Sequence, residues 1–175
     1  MKPLLRLADA IDRLTWAFGK FATALLLVLI ALIGWNVGGR YLGGVSSVAL
    51  QELEWHLLGP IALLGVTVLM LENGHVRVDM VYNRLSLRAQ RTLDLVSMLC
   101  GAVIACLFIK YSIGFVNSSW SIGEGSPDPG GLPARYIVKA MLPIGFALFG
   151  LQCLANAVRH ADALVRGDAD GARAS

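Results

Sequence analysis

The chain alternates between long apolar runs and short polar clusters. An apolar helix of about 20 residues crosses about 30 Å of lipid hydrocarbon, and four runs here approach or reach that length. They predict membrane-spanning helices at 21–41, 54–72, 93–116 and 138–158. The runs are continuous and do not alternate between apolar and polar positions, which argues against the strands of a membrane barrel.

A different pattern precedes the first run. Residues 3–19 place apolar side chains at helical spacing and charged side chains on other faces. This pattern predicts an amphipathic helix lying in the membrane interface. The sequence therefore predicts an all-α integral membrane protein with four transmembrane helices and an N-terminal interfacial helix. We expect a single membrane domain over residues 1–175, ending in a polar tail over 159–175.

Small residues and a proline interrupt the apolar runs. Gly34 with Gly38, and Gly101 with Ala105, form small-xxx-small pairs, which let two helices approach closely. Pro60 is predicted to lie in the first turns of the second span, where a missing N–H removes least from the hydrogen-bond ladder. Each feature is compatible with a packed helical bundle.

Composition agrees with a membrane protein. Hydrophobic residues make up 56% of the chain and charged residues only 15%, where a soluble domain carries about a quarter. The net charge of +3 is too small to indicate a nucleic-acid partner. The three cysteines lie inside apolar runs without metal-ligand spacing, so we predict that they are small buried hydrophobes.

Basic residues cluster at one set of predicted helix ends. Eleven precede the first span, follow the second span or follow the fourth, whereas three flank the opposite ends. The positive-inside rule therefore predicts that both termini and the 72–94 loop are cytoplasmic. One more cation, Lys110, lies within the third span close to its outer end, where a lysine side chain can reach the interface. The alternative for Lys110 is a proton or ion relay.

Two polar groups of residues are candidate functional sites. Glu52 and Glu54 lie where the second helix begins, and a two-residue step turns them about 200° apart, so they do not form a paired acid/base site. Either the helix dipole accounts for them, or they contact a partner. His75, Arg77 and Asp79 follow an Asn-Gly turn after the second span. We expect those three residues to form a structural or subunit-facing cluster at the inner rim.

No pattern for catalysis or haem binding stands out. His56 and His75 lie at opposite ends of the second span, roughly 28 Å apart along a helix, so they cannot share one iron. The loop 121–136 is rich in proline and glycine, which predicts an ordered turn on the outer side. The sequence therefore indicates neither an enzyme nor a cofactor site in this chain.

Three sequence blocks together resemble one transporter family. They are Glu-Leu-Glu-Trp at 52–55, Gly-His-Val-Arg-Val-Asp at 74–79, and the run from Trp-Ser-Ile-Gly-Glu to Gly-Gly-Leu-Pro-Ala-Arg-Tyr at 120–136. In this order, between four spans, they resemble the small membrane subunit of TRAP transporters, the DctQ-like family. The resemblance extends from the first span to the end of the fourth.

The resemblance implies a tripartite system in a bacterial inner membrane. A periplasmic binding protein delivers an organic acid anion to a large membrane subunit, which carries the substrate and Na⁺ sites. The small subunit is expected to be a static scaffold, multi-pass with both termini inside, which supports the large subunit and helps dock the binding protein. Its partners would be those two proteins and membrane lipids. The residues we expect at contacts are Glu52, Glu54, Glu124 and Arg135 on the outer side, and His75, Arg77 and Asp79 on the inner side.

Two other classes of function are alternatives that the sequence leaves open. A stand-alone oligomeric small transporter would require Lys110 or Glu54 to take part in transport. A membrane redox enzyme would require a cofactor site, for which the sequence offers no ligand pattern. Uptake by the chain alone would favour the first alternative, and a haem absorbance band would favour the second.

Overall fold

Four long α-helices make up most of the part of the protein that the structure describes. The computed structural model describes residues 2–43, 47–72, 82 and 85–173, with backbone only from 168 onward. The helices are α1 (Lys2–Gly43), α2 (Val48–Leu71), α3 (Leu87–Ser121) and α4 (Tyr136–Arg173). Each is long and apolar enough to cross a membrane. The prediction of an all-α protein with four spans is confirmed over the described residues.

Helix α1 runs without interruption through both predicted N-terminal elements. The segment 3–19 and the predicted span 21–41 belong to one helix of 42 residues. At about 1.5 Å per residue this helix is about 63 Å long, roughly twice the thickness of lipid hydrocarbon. No helix break therefore separates the amphipathic segment from the span, and its place relative to the lipid stays a prediction.

Helix α2 begins earlier than its apolar run. It starts at Val48, after Ser47 in extended conformation, whereas the predicted span starts at residue 54. Pro60 consequently lies in the interior of the helix, so its predicted place in the first turns is wrong. The reason is that residues 48–53 continue the helix with side chains that contact other parts of the protein, a feature that hydropathy does not detect.

Helices α3 and α4 pack against each other through small residues. A Cβ atom added to Gly101 would lie 2.9 Å from the Cys153 sulfur, and one added to Gly150 would lie 3.0 Å from the Ala105 Cβ. Such approaches leave no room for larger side chains and bring the two backbones close together. The predicted pair Gly101 and Ala105 is thus part of the α3–α4 interface.

Other small residues of the spans face away from the bundle. A Cβ atom at Gly34 or Gly38 would have no neighbour within 4 Å, so this pair does not pack against another helix within the described part of the chain. Among the cysteines, Cys153 is buried, but Cys100 and Cys106 are exposed. The prediction of buried cysteines is therefore wrong for those two, because they lie on the face of α3 that points away from α4.

A second apolar cluster joins the other helices. Ala22 of α1, Leu64 of α2 and Leu148 of α4 are buried against one another, and Phe18 packs beside them. Close contact recurs nearby, since a Cβ atom at Gly145 would lie 2.9 Å from the Leu63 Cβ. These contacts hold α1 and α2 on α4, so α4 contacts each of the other three described helices.

Candidate functional site: a cap anchored on Glu52

The segment between α3 and α4 is an ordered structure held by its own backbone. We call residues 122–135 the α3–α4 cap. Its hydrogen bonds include Ser126 N to Leu132 O at 2.9 Å and Arg135 N to Glu124 O at 2.9 Å. Positive φ angles occur at Gly130 (80°) and, against the usual preference, at Ala134 (60°). The prediction of an ordered turn in this segment is confirmed.

Glu52 of α2 is the side chain that fastens the cap to the bundle. Its residue is only 3% exposed. One carboxylate oxygen accepts the Leu132 backbone N–H at 2.6 Å, and the other accepts the Ser126 hydroxyl. The cap approaches so closely that a Cβ atom on Gly131 would lie 2.8 Å from the Glu52 carboxylate. A buried carboxylate with several donors of this kind holds two segments in a fixed relation.

The helix dipole does not explain Glu52. No acidic residue lies in the first turn of α2, since the helix begins at Val48. The dipole acts mainly within that first turn. The structure replaces this interpretation with specific hydrogen bonds, supplemented by the Arg135 guanidinium at 3.8 Å. The His56 ring adds a local contact by donating from Nδ1 to the Glu52 backbone carbonyl at 2.7 Å.

Glu54 points to a different neighbour. Its carboxylate accepts a hydrogen bond from the Asn36 side-chain amide of α1 at 2.9 Å. Asn36 is buried, with 4% exposure. The two carboxylates therefore serve different interfaces, as their predicted separation around the helix requires. Glu54 links α1 to α2, while Glu52 links α2 to the cap.

Glu124 forms an ion pair inside the cap region. Its carboxylate accepts a charge-assisted hydrogen bond from the Lys139 ammonium of α4. This bond holds the pKa of the Glu124 carboxyl below its usual value. The Lys139 ammonium also lies 4.0 Å from the centre of the Phe115 ring, a cation–π contact with α3. The pair thus ties both flanking helices to the cap.

Arg135 lies at the junction of the cap with α4. Its guanidinium is stacked 5.2 Å from the Trp55 ring centre, and its Nε atom has no hydrogen-bond partner among the described residues. A shallow cavity of about 240 Å³ opens here. Its lining consists of Trp55, His56, Arg135, Val138 and Lys139. The outer-side candidates Glu52, Glu124 and Arg135 therefore come together in one assembly, whereas Glu54 bonds to Asn36 of α1.

The inner-side candidates lie outside the described residues. These are His75, Arg77 and Asp79, so their predicted cluster stays a prediction. The structure does describe a polar cluster at the contact of α1 with α4. We call it the α1–α4 polar network, and its members are Asp9, Asp12, Thr15, Gln152 and Arg159.

The α1–α4 polar network is buried at its centre. Thr15 donates to the Gln152 side-chain oxygen at 2.7 Å, and Gln152 donates to Asp12 at 3.0 Å. Arg159 donates to Asp12 at 2.5 Å and to Asp9 at 3.1 Å. Thr15 and Gln152 have no exposed surface. These bonds fix the N-terminal part of α1 on α4.

Sequence reasoning missed the partners of these groups. Ser126 and the Leu132 amide carry no signal in the sequence, because they meet Glu52 across 74 and 80 positions. The pairing of Asp9 and Asp12 with Arg159 was also missed. One available signal was the two acids, spaced three apart on an otherwise basic segment, which suggests a shared cationic partner.

The hydrogen bonds and ion pairs of the α3–α4 cap and of the α1–α4 polar network join different segments of the chain. Each described carboxylate discussed above is engaged by a donor of another segment. Such an arrangement holds the segments of the protein in a fixed relation to one another.

Comparison with known proteins assigns this architecture to a family. Residues 10–163 match the family model described as "Tripartite ATP-independent periplasmic transporters, DctQ component". The chain belongs to this family. This family is a transporter component and not a family of enzymes, and the predicted resemblance is confirmed.

Two relatives illustrate the range of this family. The chain is 26% identical to the ectoine TRAP transporter small permease protein TeaB of Halomonas elongata over 125 residues, which are 71% of this chain. It is 27% identical to the isethionate TRAP transporter permease protein DctMQ of Oleidesulfovibrio alaskensis over 148 residues, 79% of this chain. The matches span 64% and 23% of the lengths of those two relatives.

Proposed function

We propose that this chain is the scaffold subunit of a tripartite, Na⁺-coupled importer of an organic acid anion. In this proposal it supports a large transport subunit in the bacterial inner membrane and helps dock a periplasmic binding protein. Membership of the DctQ family supports the tripartite setting. The match to DctMQ covers 23% of that longer polypeptide, so a region similar to this chain is part of a larger permease protein there. This supports a permanent partnership of this chain with a larger permease.

The argument for a scaffold starts from the way the helices are joined. Transport sites in secondary transporters use interrupted helices and polar groups at the membrane midplane. Here α2, α3 and α4 are continuous, and Pro60 and Pro143 lie within unbroken helix. The buried Gln152 is engaged by Thr15 and Asp12 of α1. A bundle with its polar groups engaged in this way suits a rigid support.

The solute and the ion belong to the other subunits in this proposal. The two relatives are named for different solutes, ectoine and isethionate, so family membership alone does not select one. Na⁺ coupling is assigned to the large subunit, as the family resemblance implies. The organic acid anion remains part of the proposal.

The α3–α4 cap is the surface we assign to docking of the binding protein. The concentration of basic residues at the opposite helix ends supports an outer position for the cap, with both termini inside. The tip of the cap presents Pro127, Asp128 and Pro129, which are exposed. The base of the cap is fixed by Glu52. A rigid loop with an exposed tip avoids the entropy cost of ordering on binding.

Arg135→Ala tests this assignment. Arg135 connects the cap to Trp55 and Glu52, so its loss should loosen the cap and weaken binding-protein coupling by about tenfold, with assembly of the membrane complex unchanged. Binding is measured by titrating the binding protein into the reconstituted complex. Arg166→Ala is the matched control, because Arg166 lies near the other end of α4 and its ion pair among the described residues is with Asp162 of the same helix. Equal loss of assembly and binding in the Arg135 variant would count against docking.

A further inference from the structure

Four cations form one line on the N-terminal part of α1. At 100° per residue, Lys2, Arg6, Arg13 and Lys20 fall within an arc of about 40° on the helix. We call these four residues the basic stripe. All four are exposed. The stripe extends about 27 Å along the helix, at about 1.5 Å per residue.

The acids of the same segment do not neutralise the basic stripe. Asp9 and Asp12 are the two acidic residues of this segment, and both are bound by Arg159 of α4, at 3.1 and 2.5 Å. Within the described part of the chain, no carboxylate forms an ion pair with any member of the basic stripe. The α1–α4 polar network therefore engages the acids and leaves the cations uncompensated.

Exposed leucines occupy the opposite side of this segment. Leu4, Leu7 and Leu14 are 49%, 59% and 44% exposed and lie within about 80° of arc, roughly facing away from the basic stripe. A helix with leucines on one face and Lys and Arg on the other is typical of a membrane surface, with the apolar face at the acyl boundary. The segment thus has both chemical features of a lipid-contacting helix.

The continuity of α1 brings this segment to the lipid. Residues 2–20 directly precede the apolar part of α1, which is long enough to cross the bilayer. The proposal therefore places this segment where α1 leaves the membrane, at the headgroup surface. The contact of Thr15 with Gln152 keeps the segment beside α4.

We propose that the basic stripe binds the anionic headgroups of phospholipids. The chemistry is charge complementarity between uncompensated Lys and Arg side chains and phosphate-bearing lipids with a net negative charge. Near an anionic bilayer surface each such cation increases binding by about a factor of five. This proposal goes beyond the scaffold function, because it concerns the lipid and depends on neither the large subunit nor the binding protein.

Lipid retention in nanodiscs tests the proposal. The full chain is placed in nanodiscs of phosphatidylcholine mixed with phosphatidylglycerol, and the lipids that stay bound after release are counted by native mass spectrometry. The unaltered chain should retain phosphatidylglycerol preferentially. The double variant Arg6→Gln, Arg13→Gln should lose about 25-fold of this preference, the product of two factors of about five. Since both leaflets contain both lipids, the result does not depend on the orientation of the chain.

The matched control removes two cations elsewhere. The variant Lys139→Gln, Arg166→Gln carries the same change of charge at two cations that carboxylates of this chain already pair, Glu124 and Asp162, and it should keep the preference. Raising the salt concentration should abolish the preference of the unaltered chain, a readout that needs no variant. Equal retention of both lipids by the unaltered chain, or equal loss in both double variants, would overturn the proposal. A stripe variant that keeps its lipid preference in nanodiscs, but no longer co-purifies with the large subunit, would assign the stripe to a protein contact instead.

Discussion

At the scale of single residues, Glu52 has the clearest role. It is a buried carboxylate that accepts hydrogen bonds from Ser126 and the Leu132 amide and so joins α2 to the cap. A carboxylate in this position is strongly preferred over a neutral amide, because both donors are oriented toward negative charge. The consequence is a cap whose base does not move independently of the bundle.

Glu52→Gln should loosen the cap while preserving the size of the side chain. We expect the Leu132 amide to exchange its hydrogen about tenfold faster, since a charge-assisted bond is replaced by a weaker one. Hydrogen–deuterium exchange with mass spectrometry over the cap peptides measures this. Glu54→Gln is the matched control, because Glu54 bonds to Asn36 of α1 and not to the cap. Unchanged exchange in the Glu52 variant would remove this residue as the anchor.

Glu124 predicts a dependence of cap stability on acidity. Its pKa is lowered in the folded protein by the hydrogen bond from Lys139. A carboxyl with a lowered folded pKa stabilises the fold above its unfolded pKa, and this contribution is lost as the pH falls through the folded pKa. The contribution of the Glu124 charge to cap stability should therefore be present at neutral pH and be lost below about pH 4, the usual carboxyl range.

Melting temperatures measured from pH 7 downward test this. The Glu124→Gln variant should have a lower melting temperature than the unaltered chain at pH 7. The two melting temperatures should converge in acid, where the unaltered carboxyl is also neutral. A constant difference between the two proteins at every pH would contradict the role of the Glu124 charge.

At the scale of helices, close packing depends on a few glycines. Gly145 is buried on α4 against Leu63 of α2, with no room for a Cβ atom. Gly145→Leu should lower the free energy of unfolding by about 1–3 kcal/mol through overpacking. Gly34→Leu is the matched control, since a Cβ atom there meets nothing within 4 Å among the described residues. Denaturation of the isolated chain in detergent compares the two, and equal destabilisation would refute the packing account.

The spans could be predicted from sequence, but the starts of α2 and α3 could not. Four apolar runs identify four helices, since hydropathy reports the part that faces lipid. Helical periodicity over residues 3–19 also predicted the continuation of α1 toward Lys2. Neither signal reports the continuation of α3 back to Leu87, where a contact with another helix supports the turns. Arg91, for example, donates to the Ala163 carbonyl of α4 at 2.8 Å.

The candidate site could be predicted only in part. Glu52, Glu124 and Arg135 are recognisable as polar residues at the ends of spans, and the structure brings them together. Their partners are determined by the three-dimensional path of the chain. The Glu52 carboxylate meets a backbone amide 80 positions away, and any residue type except proline could supply that amide.

At the scale of the whole molecule, the described part of the chain is a helical bundle with polar contacts near both ends. The cap is bound to α2 at one end, and α1 is bound to α4 through the α1–α4 polar network toward the other. Large apolar side chains cover much of the outside, including those of Leu27, Val103 and Leu107. In a membrane this surface faces lipid or another subunit, which is compatible with a supporting role in the transporter.

Purification of the tagged chain from its native membranes tests the scaffold proposal most directly. The chain is solubilised in mild detergent, isolated by its tag, and its stoichiometric partners are identified by mass spectrometry. The scaffold proposal predicts a complex with the large membrane subunit of a TRAP transporter in fixed ratio. Recovery of the chain only as an oligomer of itself, with no larger permease, would contradict it and favour a stand-alone transporter.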